Sequence, residues 1–148
     1  MIQLYRTNSN NKDFQKLTSL FDAFLVEIDG DEKDFFAQYN QIYIENVLVY
    51  YENGIALGCG AFKELEPSIA EIKRMFVVPE GRGKGIATTI LNELESWTKD
   101  LNYTSCQLET SQKLKKAIAL YKKFGYKIIP NYGQYEGVES SMCMKKIF

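Results

Sequence analysis

A short turn rich in glycine and basic side chains is the part of this sequence best suited to hold a charged ligand. Residues 79–87 read Pro-Glu-Gly-Arg-Gly-Lys-Gly-Ile-Ala, and they separate a strand-like segment from a helix-like one. Glycine lets the backbone approach a ligand closely and adopt positive φ angles. The first N–H groups of a helix are unpaired and carry a partial positive charge. The turn is therefore expected to bind a phosphate or pyrophosphate group.

The spacing of these glycines excludes two familiar nucleotide loops. A P-loop or a dinucleotide fingerprint that begins at Gly81 requires a glycine at position 86, where this chain has isoleucine. The pattern that fits instead is R-x-x-G-x-A, from Arg82 to Ala87. An ordinary glycine-rich turn between a strand and a helix remains the alternative interpretation.

A second pattern, A-x-x-L-Y-x-x-x-G-Y, runs from Ala117 to Tyr126. Both patterns resemble signatures of the GCN5-related N-acetyltransferase (GNAT) family, whose coenzyme A loop reads [Q/R]-x-x-G-x-[G/A]. They occur in the family's order and at its usual separation. The resemblance extends from about residue 45 to the C-terminus and is weak before that point.

The resemblance implies an N-acetyltransferase with acetyl-coenzyme A as cosubstrate. The acetyl group would pass to a primary amine of a small or amino-acid-like acceptor by direct attack in a ternary complex. Three alternatives stay open: a non-catalytic acyl-CoA-binding or sensing module, a protein N-terminal or lysine acetyltransferase, and a nucleotide-binding regulatory domain. The family often dimerises, so a homodimer is compatible with the resemblance.

Tyr121 stands where the family places the general acid for the departing thiolate. A phenol has a pKa near ~10 and a thiol near ~8.5, so donation to a nascent thiolate is chemically reasonable. The alternative is an aromatic side chain packed on a helix. By similarity, the backbone N–H of Phe76 or Val77 would stabilise the thioester carbonyl oxygen.

Glu71 is the first candidate for the general base, acting through water on the amine, and Glu109 is a weaker one. The family often carries a glutamate at the position of Glu71, but pairing with Lys73 is an equally good interpretation. A regular strand would place Glu71, Lys73, Met75 and Val77 on one face, and Arg74 and Phe76 on the other.

The loop signature and its flanks also predict which residues hold the cofactor. They are Phe76, Val77, Val78, Arg82, Gly83, Lys84, Gly85, Ile86, Ala87, Ala117 and Tyr121. One departure from the family is Leu114, since an Asn or Gln often contacts the cofactor there. Either Gln112 or Ser111 replaces that contact, or it is absent.

The acceptor site is expected between the early helices and the C-terminal loop. Candidate lining residues are Phe21, Phe24, Glu27, Asp29, Asp31, Phe35, Tyr132, Tyr135 and Ser141. The acidic side chains between residues 27 and 34 could attract a cationic amine, although a solvated helix-loop face is the preferred interpretation.

Hydrophobic periodicity predicts an α+β domain over residues 1–148. The expected elements are strands at 2–6, 47–51, 55–62, 69–78, 104–110, 126–129 and 140–146, and helices near 14–25, 32–39, 83–100 and 114–124. The GNAT fold has this layout: a mixed, mostly antiparallel sheet with a splayed parallel pair, flanked by helices in three layers.

The composition of the chain argues against several kinds of partner, catalytic mechanism and metal site. The 148 residues carry a net charge of −1, which favours neither nucleic acid nor an anionic membrane as a partner. Because there is no histidine, Ser-His-Asp catalysis and histidine-based zinc sites are excluded, and no metal is expected. The three cysteines lie in apolar segments and are expected to be buried thiols in a reducing compartment. With no signal peptide or transmembrane pattern, a cytoplasmic location is expected.

Overall fold

The computed structural model of this chain describes residues 1–29 and 43–148. The short helix predicted at 32–39 lies outside those residues. The described elements follow the predicted order: β1 (Ile2–Thr7), α1 (Lys12–Asp29), β2 (Asn46–Glu52), β3 (Ile55–Glu66), β4 (Ile69–Val77), α2 (Ile86–Asp100), β5 (Ser105–Ser111), α3 (Lys115–Lys123), β6 (Lys127–Ile129) and β7 (Ser141–Ile147).

The strands form one mixed sheet in the order β1-β2-β3-β4-β5-β7-β6. Only β4 and β5 run parallel, connected through α2, and every other neighbouring pair in the described sheet is antiparallel. The β4–β5 register runs from Ile69↔Ser105 to Ile72↔Leu108 and stops there. Beyond that point β4 and β5 no longer pair with each other, although each still pairs with its other neighbour, so a gap opens between them. The predicted α+β fold with a splayed parallel pair is confirmed.

Local sequence signals explain several element boundaries. Asn53 and Gly54 have φ angles of 52° and 80°, as an Asn-Gly hairpin turn between β2 and β3 requires. Asn11 caps α1, because its Oδ1 accepts a hydrogen bond from the Phe14 N–H at 2.9 Å. After α3, Gly125 takes a φ of 97° and ends the helix.

A β-bulge interrupts the predicted alternation of side chains along β4. Ala61 pairs with Lys73 and Cys59 pairs with Phe76, so Arg74 and Met75 together lie opposite Gly60. Arg74 has a φ of 58°, which a non-glycine residue rarely adopts. No glycine marks this irregularity in the sequence.

The bulge reverses the alternation of β4 side chains between the two faces of the sheet. Before it, Ala70 and Ile72 face α2 and α3, so the intervening Glu71 and Lys73 face the side of α1. After it, Met75 and Val77 face α2, while Phe76 packs under α1. The predicted common face for Glu71, Lys73, Met75 and Val77 is therefore wrong.

Two hydrophobic clusters fill the space on either side of the sheet. Helices α2 and α3 cover one face through residues such as Ile90, Leu94 and Tyr121, and α1 covers the other through Phe14 and Leu17. The three layers match the predicted arrangement. Cys59, Cys106 and Cys143 are free and fully buried, as predicted.

Candidate active site

A cavity of about 650 Å³ opens where β4 and β5 separate. Its walls come from α1, the end of β4, the turn before α2, and the start of α3. The lining residues are Phe21, Phe24, Ile28, Met75, Phe76, Val77, Gly81, Arg82, Gly83, Gly85, Ile86, Ala87, Thr88, Lys113, Leu114, Lys115, Lys116, Ala117, Leu120 and Tyr121. The two sequence patterns therefore lie on opposite walls of one cavity.

Most of the predicted cofactor-binding residues line this cavity. They are Phe76, Val77, Arg82, Gly83, Gly85, Ile86, Ala87, Ala117 and Tyr121. Two predicted residues do not line it: Lys84 and Val78, the latter being 5% exposed in the cluster beneath α1.

The glycine-rich turn has the backbone geometry of an anion cradle. Gly83 and Gly85 have φ angles of 81° and 78°, so the helix begins at Ile86 and not at Gly83 as predicted. A Cβ built on either glycine would meet no atom within 4 Å, so glycine is needed for conformation and not for space. The start of α2 has no capping side chain and no acidic residue in its first turn. Its N–H groups are available to an anion at the cavity wall.

Arg82 turns its side chain back toward the end of β4. Its Nε donates a hydrogen bond to the Val77 carbonyl at 3.0 Å. The guanidinium carbon lies 5.4 Å from the ring centroid of Phe24 and 5.9 Å from that of Phe76. This arrangement joins the glycine-rich turn to the apolar end of the cavity.

Tyr121 lies on the opposite wall and is 6% exposed. Its ring packs edge-to-face against Tyr126, with centroids 5.8 Å apart. Burial, and to a smaller extent the negative charge of Glu109, raise the pKa of Tyr121 well above its usual value. The phenol therefore keeps its proton throughout the neutral and mildly alkaline range.

Glu71 is held by two neighbours and does not line the cavity. Its Oε2 accepts a hydrogen bond from Tyr132 Oη at 2.6 Å, and its Oε1 lies 3.6 Å from Lys73 Nζ. Both members of this ion pair have side chains less than a tenth exposed. Burial lowers the pKa of Lys73, and the charge of Glu71 opposes that effect. The pairing with Lys73, left open from the sequence, is present.

The other acceptor-site candidates divide into three groups. Phe21 and Phe24 line the cavity, and Glu27 is exposed on α1. The C-terminal candidates lie around the carboxylates of Glu71 and Glu109. Tyr132 donates a hydrogen bond to Glu71, and Ser141 Oγ donates one to Glu109 Oε2 at 2.7 Å. The ring of Tyr135 packs edge-to-face on that of Tyr132, with centroids 5.7 Å apart. Asp31 and Phe35 lie outside the described residues, as does the Asp29 side chain.

Leu114 lines the cavity at the position where the family often has an amide side chain. Gln112 does not reach the cavity, because its Nε2 donates to the Glu139 carbonyl at 2.8 Å. Ser111 is also engaged elsewhere, since its Oγ accepts a hydrogen bond from the Lys113 N–H. Neither residue lines the cavity in place of Leu114.

Sequence reasoning missed several wall residues. Met75, Leu120 and the lysines at 113, 115 and 116 all line the cavity. Leu120 could have been found, since it lies three residues after Ala117 on the same helical face. The three lysines are exposed to solvent and also line the cavity.

The sequence profile of the Acetyltransferase (GNAT) family matches residues 14–126. This range includes the glycine-rich turn, Tyr121 and the whole span between them. The chain belongs to the GNAT family of acetyltransferases.

No metal-binding cluster of acidic, cysteine or histidine side chains occurs among the residues the structure describes. In the same residues, none of the helices has both the length and the apolar character needed to cross a bilayer.

Several curated relatives of this GNAT protein are named as acetyltransferases. An uncharacterized N-acetyltransferase of Schizosaccharomyces pombe is 38% identical over 82 residues, which is 55% of this chain and 50% of the relative. The leading curated relatives are matched over only 50–65% of their own length.

Two solved structures share the fold across nearly the whole chain. A Klebsiella pneumoniae protein assigned as an acyl-CoA N-acyltransferase superposes with a TM-score of 0.84 at 25% identity, covering 99% of this chain and 97% of the other. A Thermoplasma acidophilum N-acetyltransferase solved in complex with coenzyme A superposes with a TM-score of 0.70 at 18% identity, covering 100% and 99%.

Proposed function

We propose that this protein transfers the acetyl group of acetyl-coenzyme A to the primary amine of a small acceptor. One observation carries the proposal: a single cavity joins a helix start suited to a pyrophosphate with a buried, protonated tyrosine on the facing wall. A pyrophosphate at one end and a thioester sulfur at the other are features of acyl-coenzyme A. The Thermoplasma protein of the same fold binds coenzyme A, which supports this choice of donor.

Val77 is the stronger of the two candidates for stabilising the thioester oxygen. In an extended strand, the N–H and C=O of one residue point the same way, and those of its neighbours point the other way. The Phe76 carbonyl lies toward β3, 3.1 Å from a Cβ built on Gly58. The Val77 carbonyl instead accepts from Arg82, which lines the cavity. The N–H of Val77 is therefore expected to face the gap.

Tyr121 is proposed to donate to the departing sulfur. The amine attacks the thioester carbon, the C–S bond breaks, and coenzyme A leaves as a thiolate. Because burial keeps the pKa of Tyr121 above that of a thiol, a hydrogen bond to the thiolate is favoured over complete proton transfer. The proton lost by the amine passes to the base and then to solvent.

Glu71 is proposed as that base, acting through water. It lies on β4, the strand that carries Val77, and faces the side of α1. Tyr132 and Lys73 each approach one carboxylate oxygen, which leaves lone pairs on both oxygens for a water. Glu109, on the neighbouring β5 and bonded to Ser141, remains the weaker candidate.

A small amine is favoured by the acidic and aromatic groups around Glu71. The carboxylates of Glu71 and Glu109 accept hydrogen bonds from Tyr132 and Ser141, and both carboxylates lie near Lys73. Carboxylates and aromatic rings on one face can bind a cationic amine. We test the proposal by measuring thiol release from acetyl-coenzyme A across amines, amino acids, aminoglycosides and lysine or N-terminal peptides. Release with a small amine supports it, and release with peptides alone refutes the small-molecule acceptor.

A further inference from the structure

Arg74 is a buried cation that lies beside the cavity without lining it. Its side chain is 2% exposed, and its Nη2 donates hydrogen bonds to the Thr18 carbonyl at 3.1 Å and to Asp22 Oδ1 at 2.9 Å. Its Nη1 is also buried and has no hydrogen-bond partner among the residues the structure describes. An unpaired nitrogen on a buried charge is costly, and the left-handed backbone of Arg74 adds to that cost. Costs of this kind concentrate at functional sites.

The guanidinium of Arg74 holds an aromatic ring of the cavity wall in place. Its Cζ lies 4.9 Å from the ring centroid of Phe21 on α1. That ring in turn stacks on Phe76, with centroids 5.2 Å apart and planes at 28°. Both rings line the cavity. Because the hydrogen bonds to Thr18 and Asp22 attach Arg74 to the helix that carries Phe21, the cation and the ring are fixed together.

The stacked rings lie where the acyl chain of a bound thioester would extend. Phe76 directly precedes Val77, whose N–H is the proposed donor to the thioester oxygen. A thioester carbon is trigonal, so its acyl chain points away from both the oxygen and the sulfur. The sulfur faces Tyr121, on the side of the sheet that α3 covers. The acyl chain therefore points to the side of α1, where Phe21 and Phe76 stack.

A ring that is held in place limits the length of that chain. Each added methylene in an apolar pocket changes discrimination by about 10–200-fold, and a wall that cannot move aside excludes the longer group. We propose that Arg74 is a positioning residue, which fixes Phe21 across the acyl end of the cavity and restricts the donor to acetyl-coenzyme A. This inference rests on the proposed function, because it concerns the acyl group of the same donor.

The test compares acetyl-coenzyme A with butyryl-coenzyme A by titration calorimetry without an acceptor, so that no turnover is needed. The wild-type protein should bind acetyl-coenzyme A about tenfold or more tightly. Phe21→Ala should lose this preference, because removal of the ring makes room for the two extra methylenes. Phe24→Ala is the matched control and should keep the preference, since Phe24 lines the same cavity from α1 but packs beside Arg82 and the glycine-rich turn.

Two substitutions at Arg74 test its positioning role. Arg74→Met removes the cation and its hydrogen bonds and should lose most of the preference. Arg74→Lys keeps a cation beside Phe21 and should retain part of it. Coenzyme A itself has no acyl group, so its affinity should stay the same in both variants, and this separates a displaced ring from general damage to the fold. Thermal unfolding identifies any variant that does not fold. If Arg74→Met is unfolded, Arg74→Lys and Phe21→Ala still decide the question.

Several results would count against this role of Arg74 and Phe21. Equal wild-type affinities for the two donors, or tighter binding of butyryl-coenzyme A, would overturn it and leave the proposed function intact. An unchanged preference in folded Phe21→Ala or Arg74→Met would also overturn it, as would an equal loss of preference in Phe21→Ala and Phe24→Ala. No binding of coenzyme A to the wild type would refute the proposed function itself.

Discussion

Tyr132 Oη donates a hydrogen bond of 2.6 Å to Glu71 Oε2, although 61 residues separate them in the chain. Tyr132 lies in the connection between β6 and β7, and Glu71 lies on β4, before the bulge. The C-terminal connection thus fixes the carboxylate that we propose as the general base. Burial raises the pKa of Tyr132 far above its usual value, so it remains a donor.

Substituting Glu71→Gln should reduce kcat/KM by about 10²–10⁴-fold, because the attacking amine loses its proton acceptor. Tyr132→Phe should lower kcat/KM less than Glu71→Gln does, because the carboxylate keeps its charge and loses only the hydroxyl that positions it. Tyr135→Phe is the neighbouring control and should have a smaller effect than Tyr132→Phe. A Glu71→Gln enzyme with wild-type turnover would remove Glu71 from the mechanism and leave Glu109 as the candidate.

Replacing Gly85 by alanine should weaken acetyl-coenzyme A binding, since its φ of 78° is needed to present the first N–H groups of α2. The strain of a left-handed alanine costs roughly 1–2 kcal/mol. Gly137→Ala provides a matched control, because Gly137 has the same φ and lies in the loop before β7, outside the cavity. Calorimetry should show weaker binding for the first variant only, while both lose stability. Equal cofactor affinities in the two variants would argue against an anion cradle at this turn.

Stability should fall steeply as the pH rises above about 9. Burial raises the pKa of Cys59 from 9.0 to about 12, and those of Cys106 and Cys143 to about 11. Between these values the unfolded chain has lost protons that the folded chain retains, so unfolding is favoured by about 1.4 kcal/mol per group per pH unit. Denaturant titrations between pH 8 and 11 measure this slope, and Cys59→Ala should make it shallower. A flat profile would show that these thiols ionise equally in both states.

The order of elements was predictable because each boundary carries a local signal. Asn53-Gly54 specifies a hairpin turn, and glycines 83 and 85 mark the entry to α2. The bulge at Arg74 was not predictable, since an arginine at positive φ has no signature in the sequence. The bulge depends on tertiary contacts, because Arg74 Nη2 donates hydrogen bonds to the Thr18 carbonyl and to Asp22 on α1.

The candidate site was predictable only in part, for a similar reason. The glycine-rich turn and Tyr121 belong to contiguous patterns, so the resemblance to the family's signatures predicted their roles. The partners of Glu71 come from a distant loop, and no local pattern links position 71 to Tyr132. The lysines at the start of α3 form a charge run, which is as compatible with a solvated surface as with a binding site until the cavity is known.

The most direct test of the central claim is Tyr121→Phe, with acetyl-coenzyme A affinity and thiol release measured on the same preparation. The variant keeps the ring that packs on Tyr126 and loses only the hydroxyl. We predict an unchanged dissociation constant for acetyl-coenzyme A and a fall in kcat of about 10²-fold or more, since the thiolate loses its donor. Unchanged turnover would contradict the role of Tyr121. Tight binding with no turnover of any amine by the wild type would show a cofactor-binding module and contradict the account as a whole.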